Sequence, residues 1–283
     1  MDFTHRLIVA VVALLVFGGG GWMVYRLYIH PQAALRAEGR QLQRQTEELA
    51  EAPDPALTAF EAATTAAEGA PPDQLRRIWE GYLAQHPDAP QAGAARAVLG
   101  PLNIRTLFSS EPGEGKTSHT VVRGDSLYRI ARQHGVTIDL IARANNLDST
   151  MLQIGQTFVV PQPEITVTVN RSAGTLRLDN HGEFLREYPL VSSLLPGLAE
   201  EATAESRVVE TLVNDANEKR LTFGQNGYSD GTRVVILSSP GLSIRGADPA
   251  TPAEELPAGL VVKDEDLPEI FVLLRRGVPV TIK

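Results

Sequence analysis

Residues 119–161 most narrowly limit what this chain can fold into, because each boundary within them has its own local signal. The segment HTVVRGDSLYRIARQHGVTIDLIARANNLDSTMLQIGQTFVVP opens and closes on a strand-like run. Between these runs Asp125 or Ser126 can cap one helix and Thr137 a second, since their oxygens accept unpaired backbone N–H groups. Gly135 predicts a left-handed end to the first helix. The predicted order is strand, helix, helix, strand, and such a short segment buries only a small core.

This segment resembles the LysM module in the runs VVRGDSLYRIA, NNL and LQIGQTFVVP, which stand in the family's order. The resemblance implies a βααβ domain that binds β-1,4-linked glycans containing N-acetylglucosamine, as in peptidoglycan or chitin. It places the sugar groove between the loop after the first strand and the loop before the second. Carried onto this chain, the glycan-binding residues are Gly124, Asp125, Ser126, Leu127, Met151, Leu152, Gln153 and Ile154.

The chemistry of these loops suits N-acetyl groups, which need a shallow apolar notch and backbone hydrogen-bond partners rather than charge. Gly124 permits close approach of the backbone, and Leu152 and Ile154 can supply apolar contact. A structural interpretation stays open for the others: Asp125 and Ser126 could serve only as helix caps, and Leu127 could only fill the core.

The N-terminal segment Leu7–Tyr25 holds 19 residues without a charge, close to the roughly 20 that span a bilayer. We predict a tail over 1–6 and a single transmembrane anchor over 7–28. A cleaved signal peptide is the alternative. Arginines after the apolar run favour a cytoplasmic C-terminus, but a peptidoglycan binder belongs outside, so we predict an inner-membrane protein with its modules in the periplasm or cell wall.

Composition excludes several classes of function. The chain has no cysteine, which removes disulfides, thiolate nucleophiles and sulfur metal ligands, and its formal net charge is −8 with no basic block. We therefore expect no nucleic-acid partner, no cofactor and no metal.

Residues 31–105 predict a helical stalk. Leu35, Leu42 and Leu49 repeat every seven residues, which fits either a coiled coil or a polar, solvated helix. Further helices are predicted over Ala56–Glu68, from a cap at Asp73, and over Gln91–Leu99 with a stop at Gly100-Pro101. The stretch resembles one tetratricopeptide helix hairpin, but one repeat builds no solenoid, so a helical spacer or a hub for envelope partners are the two interpretations. A linker follows over 106–118.

Residues 164–283 predict a mostly-β domain. ITVTVN (165–170) and TLRLDN (175–180) alternate apolar and polar residues, as strands of a half-buried sheet do. Further strands are predicted over 184–193, 208–213, 232–239 and 278–282. A helix is predicted over 267–277, with Arg275 and Arg276 at its C-terminus.

The opening hairpins, SIRGADP, and PAGLVVKDEDLPEIFVLLRRGVPVTI resemble the L,D-transpeptidase (YkuD-type) catalytic domain. In that family a cysteine in a Ser-x-Gly-Cys-x-Arg motif attacks a peptide carbonyl, aided by a histidine. At the matching positions this chain keeps Gly246 and Gly259, whereas Arg245, Leu260 and Val262 replace the histidine, the cysteine and the arginine. Thiolate attack needs a thiol and a base, so the resemblance implies a degenerate, non-catalytic domain.

These expectations combine into one hypothesis with a rival. The fold class is multidomain α+β: an anchor, a helical region, a βααβ LysM module (119–161) and a YkuD-like β domain (164–283). The predicted function is membrane-anchored peptidoglycan binding with a non-catalytic scaffold. The alternative is a cell-wall enzyme, transpeptidase or hydrolase, with unconventional catalytic residues.

Overall fold

The computed structural model describes residues 7–8, 18, 22–23, 54–195, 202–238 and 242–283. The predicted anchor over 7–28 lies almost wholly outside these residues, and the heptad stalk before residue 54 lies outside them altogether. Within the described ranges, no helix has the length and apolarity needed to cross a membrane. The chain groups into two compact units, residues 1–61 and 62–283.

Within residues 54–118, three helices precede the LysM-like module: α1 (Pro55–Ala67), α2 (Pro72–Gln85) and α3 (Ala92–Leu107). The predicted cap at Asp73 is wrong, because Pro71 holds the N-cap position and Asp73 lies in the first turn.

The predicted stop at Gly100-Pro101 is also wrong, since α3 continues through Pro101 for six more residues. A proline inside a helix costs about 3 kcal/mol. The buried face of α3, which includes Leu99, Gly100 and Ile104, packs against the C-terminal domain and offsets that cost.

The LysM-like module has the predicted order: β1 (Lys116–Thr120), α4 (Leu127–His134), α5 (Ile138–Ala144) and β2 (Thr157–Pro161). β1 pairs antiparallel with β2 from Lys116 opposite Pro161 to Thr120 opposite Thr157. The strand that opens the module begins before His119, within the linker predicted over 106–118, because β1 pairs with β2 from Lys116 onward.

The predicted caps of this module are confirmed. The Ser126 hydroxyl accepts a hydrogen bond from Arg129 N–H at 3.2 Å, and the Thr137 hydroxyl accepts one from Leu140 N–H at 3.0 Å. Gly135 is left-handed with φ 67°, as is Asn146 with φ 53°. The core of the module is small and consists of Val121, Leu127, Ile130, Ala131, Ile141, Phe158 and Val160.

The C-terminal domain is mostly β. Its strands are β3 (Ile165–Asn170), β4 (Thr175–Asn180), β5 (Glu183–Leu194), β6 (Ala204–Asn214), β7 (Arg220–Leu221), β8 (Thr232–Leu237), β9 (Ser243–Ala247), β10 (Gly259–Lys263) and β11 (Pro279–Ile282). A 3₁₀ turn (Ala253–Glu255) and helix α6 (Leu267–Leu273) interrupt them. The strand order is β11-β3-β4-β5-β10-β9-β8-β6-β7, and β11 also pairs with β6, so the pairings form a closed circuit.

Two expectations for this domain are wrong. Helix α6 ends at Leu273, because Leu274 is extended and fully buried, so Arg275 and Arg276 lie beyond the helix. Gly259–Lys263, which lies outside the predicted strands, is strand β10, with β5 on one side and β9 on the other. Both differences from the prediction place apolar side chains in the domain core: Leu274 after α6, and Leu260 and Val262 of β10.

Candidate functional site

Backbone hydrogen bonds bring the two predicted glycan loops side by side. Val121 N–H donates to the Gln156 carbonyl and Gly155 N–H donates to the Val121 carbonyl, both at 2.8 Å. These bonds extend the β1–β2 pairing into the loops. Gly124 then turns the chain with φ 94°, a conformation that favours glycine. The loop after β1 and the loop before β2 are therefore neighbours, as the sequence predicts.

The eight predicted glycan positions differ in how much of each residue reaches solvent. Met151 is 83% exposed and Ile154 is 72% exposed. Gly124, Ser126 and Gln153 are also exposed, whereas Asp125 and Leu152 are half-buried. Leu127 is only 2% exposed and belongs to the module core. The core interpretation therefore holds for the Leu127 side chain.

Two exposed apolar side chains accompany this set without having been predicted. Val122 is 59% exposed and Tyr128 is 66% exposed, one on each side of the Gly124 turn in sequence. Large apolar side chains gathered on a surface are typical of a binding site rather than of a solvated face. The only feature of the sequence that points to Val122 and Tyr128 is their position close to the predicted glycan-binding residues.

Asp125 does not cap helix α4 but holds its own loop. Its carboxylate accepts hydrogen bonds from Val122 N–H and from His119 Nε2, each at 3.0 Å. The first of these bonds is the main reason that the pKa of Asp125 lies below its ordinary value, and the His119 bond adds to it. The loop beside the predicted groove is thus fixed by an ionised carboxylate.

Two histidines extend this arrangement into a relay. His119 Nδ1 lies 3.1 Å from His134 Nε2, while its Nε2 contacts Asp125. A neutral imidazole donates from one nitrogen and accepts at the other. Because the Nε2–H of His119 donates to the Asp125 carboxylate, the Nδ1 of a neutral His119 carries no proton. It therefore accepts a hydrogen bond from His134 Nε2–H. Burial, and then the nearby His119, lower the pKa of His134. Nothing in the sequence indicates that residues 119 and 134 lie close together.

The predicted transpeptidase positions fall on opposite faces of one sheet. β10 runs parallel to β9, with Leu260 opposite Ile244 and Val261 opposite Arg245. Since facing residues of paired strands point to the same side, Arg245 lies on the face of Val261 and not of Leu260. Leu260 is fully buried in the domain core beside Ile244. Leu260 and Arg245, the positions predicted to correspond to the cysteine and the histidine, therefore do not face one another.

Two glycines allow this part of the sheet to pack closely. Gly259 has φ 119°, and a Cβ there would lie 2.6 Å from the Ser243 carbonyl oxygen. A Cβ on Gly246 would collide with the Asp264 side chain. Val262 is fully buried as well. Gly259, Leu260 and Val262 consequently form sheet interior, and only Arg245 and Gly246 of the five predicted positions border open space.

That open space is a cavity of about 380 Å³ at the end of β9 and β10. The charged residues described around it are Asp230, Arg233, Arg245 and Asp264. Ser243, the hydroxyl nearest to Arg245, accepts a hydrogen bond from Arg245 Nε at 3.1 Å and is only 9% exposed. An arginine partner does not remove a proton from a hydroxyl. The arrangement suits the binding of a charged ligand and provides no activated nucleophile among the described residues.

The LysM-like module is docked on the C-terminal domain through polar contacts. The Thr137 hydroxyl donates to the Val272 carbonyl at 2.8 Å, and the Tyr228 hydroxyl donates to Asp139 at 2.7 Å. Burial raises the pKa of Asp139, and burial together with Asp139 raises the pKa of Tyr228. Arg233 lies over the Tyr228 ring, 5.9 Å from its centroid.

Apolar contacts join the same two parts. Phe223, from the loop after β7, packs against the core of the LysM-like module. Leu140 of α5 belongs to the core of the C-terminal domain. Each part thus contributes to the other's core, although the sequence predicts two separate modules over 119–161 and 164–283.

Comparison with known proteins identifies the central module. Residues 119–161 match the LysM domain family. A curated N-acetylmuramoyl-L-alanine amidase, sle1 of Staphylococcus haemolyticus (strain JCSC1435), is 38% identical over 58 residues. That match spans 20% of this chain and 17% of the amidase, so it concerns a small part of either protein. The chain contains a LysM domain.

Solved L,D-transpeptidases resemble the structure more distantly. One from Mycobacterium smegmatis has a TM-score of 0.30 and 12% identity, over 46% of this chain and 63% of that one. L,D-transpeptidase 1 of Mycobacterium tuberculosis has a TM-score of 0.29 and 16% identity, over 46% and 67%. One from Enterococcus faecium has 0.28 and 15%, over 48% and 56%. At these scores the likeness does not by itself establish a relationship.

Proposed function

We propose that this protein binds peptidoglycan in the cell envelope through its LysM domain and that its C-terminal domain is a non-catalytic scaffold. The observation that carries the proposal is the pair of adjoining loops at Gly124–Ser126 and Met151–Ile154, on which apolar side chains are exposed within a LysM domain. The ligand is a glycan that contains N-acetylglucosamine.

The physical chemistry of these loops supports a carbohydrate ligand. Met151 and Ile154 offer apolar surface to the methyl group of an N-acetyl substituent, and the glycine backbone at Gly124 offers hydrogen-bond groups. Exposed apolar surface of this kind lowers solubility and is retained where it is covered by a ligand. The Asp125–His119 pair supports the first loop from beneath and needs no contact with sugar.

A non-catalytic C-terminal domain is favoured by the surroundings of its predicted positions. Acyl transfer needs a nucleophile, a base within hydrogen-bond reach and an open site. Leu260 is enclosed, Arg245 lies on the other face of the sheet, and Ser243 is held by an arginine.

We further propose that residues 7–28 anchor the chain in the inner membrane, with the LysM domain on the side of the cell wall. The basis is the uncharged run of 19 residues between Arg6 and Arg26. A peptidoglycan ligand requires that the LysM domain lie outside the cytoplasm, which determines the orientation.

The decisive experiment measures binding of the full chain, in detergent, to purified peptidoglycan. The double substitution of Met151→Ser and Ile154→Ser removes apolar contact without touching a buried residue. Each side chain that becomes buried on binding contributes up to about 1.5–3 kcal/mol, so we expect affinity to fall roughly tenfold or more.

Val98→Ser provides the control, because Val98 is an exposed apolar residue of α3, outside the LysM domain. It should bind as the unchanged chain does. Equal binding by the double variant and the unchanged chain would refute the assignment of the two loops. Release of trimmed or newly cross-linked muropeptides by the purified chain would refute the non-catalytic role.

A further inference from the structure

A second cavity lies where three parts of the chain meet: helix α3, the LysM domain and strand β5. It measures about 430 Å³, and its lining includes Arg105 from α3, Arg143 from α5 and Arg186 from β5. Glu269 of α6 is the acidic residue described in the lining. Three arginines against one glutamate leave a net positive charge, although these residues are far apart in the sequence.

Arg186 is built into this cavity. Gly100 makes room for it, because a Cβ at that position would lie 2.6 Å from Arg186 Cδ. Its guanidinium lies over the Tyr188 ring, 5.4 Å from the centroid. Its Nε is buried and has no hydrogen-bond partner in the described chain. The nearest carboxylate oxygen, on Glu269, is 3.5 Å away.

Glu269 neutralises this charge only in part, since one carboxylate lies among three guanidinium groups and also accepts a hydrogen bond from Tyr188. The Tyr188 hydroxyl donates to Glu269 Oε1 at 2.6 Å, the same oxygen that faces Arg186. One carboxylate atom is thus shared by a phenol and a guanidinium. The other two arginines have no comparable acid within the described residues of the lining.

Arg105 and Arg143 are exposed at the mouth of the cavity. The Arg143 guanidinium lies over the Phe108 ring, 5.4 Å from the centroid. Stacking on a ring fixes the plane of a guanidinium while leaving its N–H edge available. Neither side chain makes a hydrogen bond or an ion pair with the described part of the chain. Both therefore present N–H donors to solvent, and the Phe108 ring orients that of Arg143.

We propose that this cavity binds an oxyanion, a carboxylate or a phosphate group, held jointly by Arg105, Arg143 and Arg186. The planar fork of a guanidinium matches the two oxygens of either group, and such charge-assisted bonds are stronger than neutral ones. The bound anion relieves the repulsion among the three cations, of which Glu269 offsets only one. This proposal does not depend on glycan binding, since the cavity shares no residue with the glycan loops.

The arginines also belong to three parts of the structure: a helix before the LysM domain, the LysM domain itself and the C-terminal sheet. An anion that contacts all three links these parts and stabilises their arrangement, because it binds the folded chain and not the unfolded one.

The experiment is isothermal titration calorimetry of the full chain with two probes, inorganic phosphate and succinate, supported by thermal unfolding in each. We expect saturable binding of one equivalent of at least one probe and a rise in the melting temperature. A tighter phosphate titration would indicate a phosphate-bearing ligand, and a tighter succinate titration a carboxylate-bearing one.

Substitutions localise the site without loss of the fold. Arg105→Gln and Arg143→Gln should each weaken binding roughly fivefold or more, whereas Arg132→Gln, an exposed arginine of the LysM domain outside the cavity lining, should not. Gly100→Ala changes no charge but displaces Arg186, and it should also weaken binding. Gly93→Ala in the same helix is the matched control, since nothing lies within 4 Å of a Cβ there.

The proposal is overturned if neither probe binds saturably. It is equally overturned if Arg105→Gln and Arg143→Gln bind as the unchanged chain does. If the two arginine variants weaken anion binding but Gly100→Ala does not, Arg186 is not part of the site.

Discussion

The LysM domain and the C-terminal domain differ in the solvent exposure of their predicted functional residues. In the LysM domain, Met151 and Ile154 are 83% and 72% exposed. In the C-terminal domain, Leu260 and Val262 are 0% exposed. Both sets lie in glycine-containing segments next to strands, which look alike in the sequence. The difference arises because the LysM segment remains a loop, whereas the C-terminal segment joins the sheet as β10.

The contrast teaches that two segments that look alike in sequence can have different roles in the fold. The short LysM core uses apolar residues of its helices and strands, so its loop tips stay available for a ligand. The C-terminal domain instead uses its glycine-containing segment, strand β10, to complete its core. We therefore expect substitutions to affect binding in the first domain and stability in the second.

The largest expected effect is on stability, from Leu260→Ala. Truncation of a fully buried leucine costs about 2–5 kcal/mol, from lost transfer free energy and the cavity left behind. Urea unfolding followed by circular dichroism measures the free energy of unfolding. Met151→Ala is the matched variant in the LysM loop and should change it by less than about 0.5 kcal/mol. If both variants lose a similarly small part of the free energy of unfolding, the proposed difference between the two domains is wrong.

A smaller effect is expected where the two domains meet, from Tyr228→Phe. Removal of the hydroxyl leaves the buried Asp139 carboxyl without its donor. A lost partner of a buried polar group costs about 1–3 kcal/mol. Hydrogen exchange should show faster opening of α5 than in the unchanged chain.

Tyr128→Phe is the control for this change, since Tyr128 is 66% exposed on the same LysM domain. It should leave the exchange of α5 as it is. Equal exchange in the two phenylalanine variants would mean that the Tyr228–Asp139 bond does not hold the domains together.

The smallest expected effect is on the pH dependence of the free energy of unfolding, and it comes from His134 of the LysM domain. Because the pKa of His134 is lowered in the folded chain from 6.5, the unfolded chain binds the proton more readily. His134 therefore lowers the free energy of unfolding as the pH falls below about 6.5. His134→Gln should reduce the loss of stability between pH 7.5 and pH 5, an interval in which Asp125 stays ionised. An unchanged pH dependence would exclude His134 as its source.

Local signals in the sequence predicted the elements that local chemistry decides. Ser126 and Thr137 cap their helices as expected, and the alternating residues of β3 and β4 form strands. Helix α3 was cut short in the prediction, because Gly100-Pro101 breaks helices locally but here packs against a distant strand. This packing of α3 against β5 exists only in the tertiary fold, so the local sequence around Gly100 does not predict it.

The candidate sites were predictable to a lesser degree. The sequence analysis expected the two predicted glycan loops to adjoin, but it left open whether Leu127 binds a ligand or fills the core, where the structure places it. Strand β10 was missed because GLVVK is buried on both faces and lacks the alternation of a half-buried strand. The opposite faces of Arg245 and Leu260 follow from strand register, which no short motif encodes.

The exchange of core residues between the domains has a mechanical consequence. A sugar chain held at Met151 and Ile154 would pull on a domain whose α5 is tied to the C-terminal domain by Thr137, Asp139 and Leu140. That domain has its strands paired in a closed circuit. Tension on the glycan would then pass into the sheet by direct contact and would not stretch the short connection at residues 161–163.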